Sequence, residues 1–229
     1  MKCFLVALLW SASVLAAQTV PHFQLSVDGS YFRIHAGGGE AGEVAGIPDF
    51  VSDPHNLNFG LTGWDATLTE NVNRWFGADL DVSGNYGLPV APFLCSTATA
   101  ATADRCLGDN PVHGSVNTRI HTFTFGPRFS FRKYGRIVPY AHFLLGVGHI
   151  DGTLDHSAVF APLGVLLPQH FTESNTALAA APGAGIDLNL SDRFGLRLFE
   201  LDYFMTRFFN QRQDNVRVSA GINFQFGSK

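Results

Sequence analysis

The sequence contains little charge. Lys, Arg, Asp and Glu together make up 15% of the 229 residues, and the formal net charge at pH 7 is −4. A protein that binds nucleic acid normally carries a pronounced excess of Lys and Arg on one face. We therefore expect no nucleic-acid partner.

The sequence also lacks long apolar runs beyond its N-terminus. A membrane-spanning helix needs about 18 or more consecutive apolar residues. The longest candidate, 177–190, is interrupted by Pro182, Gly183 and Asp187. We therefore predict no transmembrane helix outside the N-terminal segment.

The N-terminal segment has the pattern of a cleaved export signal. Lys2 provides the positive start, an apolar run extends to Leu15, and Ala16 and Ala17 supply the small residues of a cleavage site. We predict that residues 1–17 are a signal peptide for the Sec pathway. Residues 18–229 are then of a length that suits one all-β domain.

Cysteine is scarce as well, with three in the chain. Cys3 lies in the predicted signal peptide, which leaves Cys95 and Cys106 in a polar segment. An even pair in an exported chain predicts a disulfide that closes a loop. Two free thiols are the alternative, and an oxidising compartment disfavours them.

Apolar and polar residues alternate along much of the sequence. In the segment 216–226, Val218, Ile222 and Phe224 alternate with Arg217 and Asn223. Successive side chains of a strand face opposite sides, so such a segment has one apolar and one polar face. The pattern predicts eight strands, near residues 23–34, 58–72, 75–86, 118–132, 136–150, 176–190, 193–207 and 216–226.

The composition of the polar face distinguishes a membrane barrel from a soluble sandwich. It carries mostly Gly, Ser, Asn and Asp with a few Arg, residues that suit a narrow lumen in which charges pair. The apolar face is rich in Phe, and several predicted strands exceed the length of a typical soluble strand. A soluble lipocalin-like carrier remains the alternative.

The connections between the predicted strands alternate in length. Short turns fall near 73–74, 133–135 and 191–192, while the other connections, near 35–57, 87–117, 151–175 and 208–215, are long or polar. Outer-membrane barrels have short periplasmic turns and longer outer loops. We predict an all-β fold: an eight-stranded antiparallel up-and-down transmembrane β-barrel with short periplasmic turns and long extracellular loops.

Aromatic residues cluster toward both ends of the predicted strands, as in the two interfacial girdles of a barrel. The cluster expected on the loop side consists of Tyr31, Phe32, Phe59, Tyr86, Phe204, Phe208 and Phe209.

The inward residues predict a lumen filled by paired charges. An eight-stranded barrel is just wide enough for side chains to fill it. The predicted lumen network consists of Asp28, Asp65, Asp79, Asp81, Arg128, Arg132, His142, Asp187, Glu200, Asp202 and Arg217. A narrow solute path is the alternative. Strict alternation puts Arg197 on the face opposite Glu200 and Asp202, which predicts a bulge or a position near the membrane boundary.

No group of residues has the spacing of a catalytic, cofactor or metal site. Six histidines fall in or beside predicted loops, and the nearest approach to a ligand set is His149 with Asp151, Asp155 and His156. His142 has no serine at the spacing of a catalytic triad. We therefore expect no enzyme activity, no cofactor and no metal.

Four segments resemble the small outer-membrane β-barrel proteins of OmpA-like and OmpX-like type. They are 71–84 (NVNRWFGADLDVSG), 122–130 (TFTFGPRFS), 139–148 (PYAHFLLGVG) and 217–226 (RVSAGINFQF). The resemblance extends over residues 23–226. It implies a barrel in the bacterial outer membrane, assembled with periplasmic chaperones and the barrel assembly machinery, and it implies no reaction.

Three functions stay open at this point. The favoured one is a monomeric structural or surface-interaction barrel whose outer loops contact lipopolysaccharide, other cells or host surfaces, because displayed loops carry function more often than scaffolds do. The alternatives are a narrow channel for small solutes and an outer-membrane lipid-modifying enzyme.

Overall fold

A computed structural model describes most of the chain. It covers residues 20–35, 50–52, 58–88, 90–95, 112–155, 170–208 and 212–228. The predicted signal peptide, 1–17, lies outside the described residues and stays a prediction.

Ten strands make up almost all of the described chain. They are β1 (Pro21–His35), β2 (Phe50–Ser52), β3 (Asn58–Asn71), β4 (Phe76–Gly87), β5 (Val90–Cys95), β6 (Val112–Ser130), β7 (Ile137–Asp155), β8 (His170–Asn189), β9 (Phe194–Thr206) and β10 (Gln213–Ser228). The described residues contain no helix with the length and apolarity that crossing a bilayer requires.

Eight of the strands close into a barrel. Each pairs with the next in the order β1, β3, β4, β6, β7, β8, β9, β10, and every pairing is antiparallel. The first and last strands close the ring, from Pro21 opposite Ser228 to Arg33 opposite Val216. The predicted eight-stranded antiparallel barrel is confirmed.

The two faces of the barrel wall differ in polarity. Phe125 and Leu178 on the outside are 63% and 80% exposed, whereas Asp81 and Arg217 on the inside are 0% exposed. In a soluble protein the pattern is the opposite, because the apolar side chains are buried inside and the charged ones face water. Because a contiguous apolar exterior of this extent requires hydrocarbon around it, the barrel lies in a lipid bilayer.

The outer limit of the apolar band lies between two rows of residues. Phe123, Val147 and Leu178 are neighbours on β6, β7 and β8 and form the last apolar row. The next outward-facing row, two residues further along each strand, is His121, His149 and Thr176. The hydrocarbon region therefore ends between these rows.

Three strands continue well past this limit. β6, β7 and β8 contain 19, 19 and 20 residues, whereas a membrane crossing takes about 9–11. At about 3.3 Å per residue each strand is roughly 60 Å long. The short strands β5 and β2 extend this projecting sheet, since β5 pairs with β6 and β2 pairs with β5.

The predicted strand limits were wrong at this end. The segments near 87–117 and 151–175 were expected to be loops, but they contain β5, the start of β6, the end of β7 and the start of β8. The alternation of apolar and polar residues stops outside the bilayer because both faces of the sheet are then in water. The pairing continues through backbone hydrogen bonds, which the sequence pattern does not reveal.

Candidate functional site

The candidate site is the polar part of the lumen, to which all eight barrel strands contribute. Inward residues alternate with lipid-facing ones, and the charged members lie in the middle and periplasmic parts of the barrel. The side chains of Arg128, Arg197, Arg217 and Glu200 are at most 1% exposed. Charges this deeply buried must be paired to be tolerated.

Arg217 of β10 is surrounded by four carboxylates. Its guanidinium donates to Asp81 of β4 at 3.0 and 3.1 Å and to Asp202 of β9 at 2.9 and 2.7 Å. Asp65 of β3 and Glu200 lie at 3.7 and 3.6 Å. One side chain thus connects four strands across the lumen through paired, fork-like contacts.

Arg128 of β6 connects a second group of residues in the lumen. It donates to Asp187 of β8 at 2.6 Å and to Thr69 at 3.3 Å, and Asp79 lies 3.7 Å away. The guanidinium lies 3.5 Å from the ring centroid of Tyr140, a cation–π contact shielded from water. The Tyr140 hydroxyl donates to Glu200, which ties this group to that of Arg217.

Arg197 of β9 is a third buried cation. Its Nη1 donates to Asp28 of β1 at 2.9 Å and lies 3.0 Å from Glu200, and its Nε donates to Asp187 at 3.4 Å. Arg197 therefore bridges the Arg128 and Arg217 groups. Neither Arg197 nor Tyr140 was among the residues that the sequence placed in the lumen network.

A β-bulge explains how Arg197 reaches the lumen. β9 advances two residues, from Arg197 to Phe199, while its partner β8 advances one, from Asp187 to Ile186. Leu198 and Phe199 consequently both face lipid, at 48% and 45% exposure. The bulge resets the alternation, so that Arg197 and Glu200 both point inward. The sequence offered two explanations for the mismatch in this strand, a bulge or a position near the membrane boundary. The structure contains the bulge.

His142 of β7 lies between two carboxylates. Its Nδ1 is 3.2 Å from Asp79 and its Nε2 is 2.7 Å from Asp202. Ionised carboxylates only accept hydrogen bonds, so these two contacts favour a ring that donates from both nitrogens. Both ring nitrogens are thus occupied by carboxyl groups, and no described hydroxyl group lies within hydrogen-bond distance of either nitrogen.

The remaining predicted members also face the lumen. Ser26 donates to Asp28, Thr69 to Asp79 and Gln24 to Asp187, at 2.6, 2.7 and 2.7 Å. Arg132 lies at the periplasmic end, half-buried, and donates to Asn71 at 2.9 Å. The structure thus places all eleven predicted residues on the inner side. It brings ten of them into one connected cluster, with Arg132 at the edge.

Asp65 is the least satisfied member of the network. Both of its carboxylate oxygens and Oδ1 of the facing Asp28 accept no hydrogen bond from any described residue. Like charges directly opposite each other across two strands are destabilising, and a buried acceptor without a donor adds a penalty.

We expect Asp65→Asn to stabilise the barrel by about 1 kcal/mol, because it removes one negative charge and supplies an amide donor to Asp28. Urea unfolding in detergent micelles measures the change. Asp81→Asn is the matched control: Asp81 is paired with Arg217, so the same chemical change there should be destabilising. A loss of stability in Asp65→Asn as large as that of the control would contradict this account.

The outer part of the lumen is apolar. Phe32 and Phe204 pack with their ring centroids 5.5 Å apart, together with Leu61, Ile120 and Leu144. Phe204 also covers Arg217, whose guanidinium carbon lies 4.8 Å from the ring centroid. This packing lies over the charged cluster on its extracellular side.

Phe32, Phe204 and Phe208 were expected in the girdle on the loop side, and this expectation was wrong. All three are inside the barrel and no more than 1% exposed.

These layers close the lumen. A side chain that lines a water-filled channel is accessible to water, whereas Arg217, Asp81, Glu200 and Phe204 are all 0% exposed. The cross-section at the network is filled by paired charges, and the section above it is filled by aromatic and aliphatic side chains.

Comparison with known proteins agrees with this architecture. No protein-family model matches the sequence, and no curated protein matches it. Neisserial surface protein A (NspA) superposes with a TM-score of 0.54 at 10% identity, covering 90% of this chain and 97% of that one. Ail, the attachment invasion locus protein of Yersinia pestis, gives 0.51 at 16% identity, covering 88% and 98%. The chain has the fold of the small eight-stranded outer-membrane β-barrels. The prediction of a barrel in the bacterial outer membrane is confirmed.

Two groups in this outer-membrane barrel have the ligand types of a metal site. They are His142 with Glu200 and Asp202, and Asp65 with Asp81 and Glu200, each with its ligand atoms within 4.8 Å of one another. The positive charge of Arg217 already lies against members of both groups. The geometry therefore supports charge pairing better than it supports cation binding.

One exposed hydrogen-bonded chain lies on the outside of the outer-membrane barrel, at the bilayer limit. His149 Nδ1 is 2.6 Å from the Thr176 hydroxyl, and His149 Nε2 is 3.2 Å from Asp151. Among the described residues this is the arrangement that comes nearest to a hydroxyl, a base and an orienting acid. Sequence spacing could not reveal it, because Thr176 joins through strand pairing.

The predicted disulfide lies only partly within the described residues. Cys95 ends β5, in the sheet that projects from the outer-membrane barrel. Cys106 lies outside the described part of the chain, so the pairing stays a prediction.

Proposed function

We propose that this barrel is a non-catalytic surface protein that displays its projecting sheet and outer loops to surfaces outside the cell. The closed lumen carries the proposal, since a barrel filled by fully buried ion pairs is a rigid anchor and a poor conduit.

The projecting sheet supports the display role. β6, β7 and β8 run well beyond the bilayer limit at His121, His149 and Thr176, and β5 and β2 widen the sheet. Loops that are held on a rigid scaffold are typical positions for recognition. In this proposal, the polar row at the limit contacts the headgroups of lipopolysaccharide.

The names of similar proteins agree with this role. Ail is named the attachment invasion locus protein, and NspA is named a surface protein. Both share the fold of this chain, and we extend their surface role to it as part of the proposal.

Conductance distinguishes display from transport. The purified full chain, reconstituted in a planar bilayer, should give no stepwise current in salt solution. The double variant Arg217→Ala/Phe204→Ala is the positive control. It removes side-chain volume from both the charged network and the apolar packing above it, so it should raise the current if the recording is sensitive. Steady channel currents in the unmodified protein would overturn the closed-barrel proposal.

Adherence tests the display role directly. Bacteria that produce the full chain should adhere to cultured epithelial cells more than bacteria without it. A variant that lacks 158–167, an apolar segment between β7 and β8, should lose at least part of this gain. Surface protease accessibility and heat-modifiable gel migration confirm that both proteins are displayed and folded. Equal adherence with and without the full chain would contradict the proposal.

Lipid analysis tests the absence of catalysis. Membrane lipids should have identical mass spectra in cells with the protein, cells without it, and cells with His149→Ala. Deacylated lipid that appears with the protein and disappears in His149→Ala would show that Thr176, His149 and Asp151 form a catalytic group, and the non-catalytic proposal would fail.

A further inference from the structure

Four exposed cations lie in the three short periplasmic turns. Arg74 lies between β3 and β4, Lys133 and Arg136 lie between β6 and β7, and Arg193 lies between β8 and β9. All four are exposed, and none forms an ion pair with a described residue. Every described short turn thus carries at least one free positive charge.

The acidic groups at this rim do not balance these cations. The exposed acidic residues there are Glu70, which lies 3.4 Å from His22, and Asp192, so two carboxylates face four cations. The extracellular side is different. By sequence, the strand and turn segments described there contain four cations, Arg33, Arg119, Arg207 and Arg212, and an equal number of acidic residues, Asp151, Asp155, Glu173 and Asp214. Within the described ranges, the excess of positive charge therefore lies at the periplasmic rim.

Backbone hydrogen bonds hold the turns together as one rim. Ser130 donates to the carbonyl of Trp75 at 2.9 Å, which joins the first two turns. Asn189 donates to the carbonyl of Arg136 at 2.8 Å, and Gln225 donates to that of Arg193 at 2.8 Å. The four cations are consequently spaced along a fixed edge of the barrel, and a ligand does not need to order the backbone.

The cations lie at the depth of lipid headgroups. Trp75 and Tyr134, 57% and 66% exposed, are sequence neighbours of Arg74 and Lys133. Phe194, 51% exposed, directly follows Arg193. Aromatic side chains of this kind mark the membrane–water interface, and Arg and Lys beside them extend their charged ends toward the phosphates.

We propose that the periplasmic rim, defined as Arg74, Lys133, Arg136 and Arg193, binds the phosphate groups of anionic phospholipids in the periplasmic leaflet. Arg presents paired donors that suit a phosphate, and Lys adds a point charge. Each cation near a membrane surface strengthens attraction to anionic lipid about fivefold. A lipid is favoured over a soluble partner because the aromatic neighbours require hydrocarbon on the same side.

The test measures which lipid contacts Trp75. In the full-length barrel with Trp64→Phe, Trp75 reports on lipid at the rim, because Trp10 lies in the predicted signal peptide. Quenching by brominated phosphatidylglycerol is compared with quenching by brominated phosphatidylcholine in vesicles that contain both lipids. The expected preference for the anionic lipid is about tenfold, and it should decrease as salt screens the charges.

Two charge variants decide the result. R74Q/K133Q/R136Q/R193Q should reduce the preference at least fivefold. R33Q/R119Q/R207Q/R212Q removes four cations from the extracellular side and should leave the preference unchanged. Heat-modifiable gel migration verifies that each variant is folded. A wild-type barrel without preference, or equal losses in the two variants, would overturn the proposal.

A third arm separates lipid phosphate from free phosphate. Inorganic phosphate and a soluble polyanion, polyglutamate, are added in turn to the same vesicles at constant ionic strength. Neither should alter the quenching ratio. If inorganic phosphate removes the preference, the rim is a site for free phosphate, and if polyglutamate removes it, the rim binds acidic polymers. Either outcome would reject the lipid assignment.

Discussion

Arg217→Met should destabilise the barrel by about 3–5 kcal/mol, the range for breaking a buried ion pair by removing one partner. The substitution keeps much of the side-chain volume but leaves the charges of Asp81 and Asp202 buried without their principal partner. Urea unfolding in detergent micelles, followed by tryptophan fluorescence, measures the effect. The temperature at which gel migration changes should decrease in parallel.

Two controls make the Arg217 result specific. Arg119→Met removes an exposed arginine of β6 from the outside of the barrel and should change stability by no more than about 0.5 kcal/mol. Adding Asp81→Asn and Asp202→Asn to Arg217→Met should recover part of the loss, because the unpaired charges are then removed. If Arg217→Met unfolds like the wild type, the buried network is not what stabilises the barrel.

Phe143→Arg should cost about 2–4 kcal/mol, the penalty of a cation at the bilayer midplane on the lipid side of a barrel. Phe143 lies midway along the lipid-facing row of β7 that begins at Ile137 and ends before His149, and it is 44% exposed. In a soluble protein an Arg at so exposed a position would be nearly neutral. Unfolding in phospholipid vesicles, where the hydrocarbon thickness is defined, measures the cost.

Ile137→Arg is the matched control for the membrane prediction. It lies on the same strand and face, is 46% exposed, and is located at the periplasmic interface. The cost there should be about 0–1 kcal/mol, because a charge at this depth reaches water. Equal costs at positions 137 and 143 would mean that no bilayer surrounds this face.

The sequence predicted the barrel well because a single physical constraint repeats in every strand. Lipid outside and ion pairs inside impose a period of two, and this period alone assigned Asp81, Arg128 and Arg217 to the lumen. It could not place Arg197, since a bulge shifts the alternation by one residue. The broken alternation indicated either a bulge or a position near the membrane boundary, and the sequence alone does not distinguish the two. Tyr140 was missed because an aromatic ring is equally compatible with lipid and with a cation in the lumen.

The ends of the barrel were predicted less well than its middle. Phe32 and Phe204 sit among apolar residues on both faces of their strands, so polarity did not indicate which face points inward. In the projecting parts of β6, β7 and β8 the polar residues on both faces conceal the strands. Sequence reasoning therefore fails where the environment of the two faces becomes the same.

The network has a consequence for how the protein enters the membrane. Arg197 of β9 bonds to Asp28 of β1, and Arg217 of β10 bonds to Asp81 of β4, so these pairs join the two ends of the chain. Strands β1 and β10 become neighbours only when the ring closes. Transferring the strands into hydrocarbon one at a time would expose these charges without partners, at a cost of several kcal/mol each. Closure and dehydration of the interior must therefore occur together, as a late and concerted step of assembly.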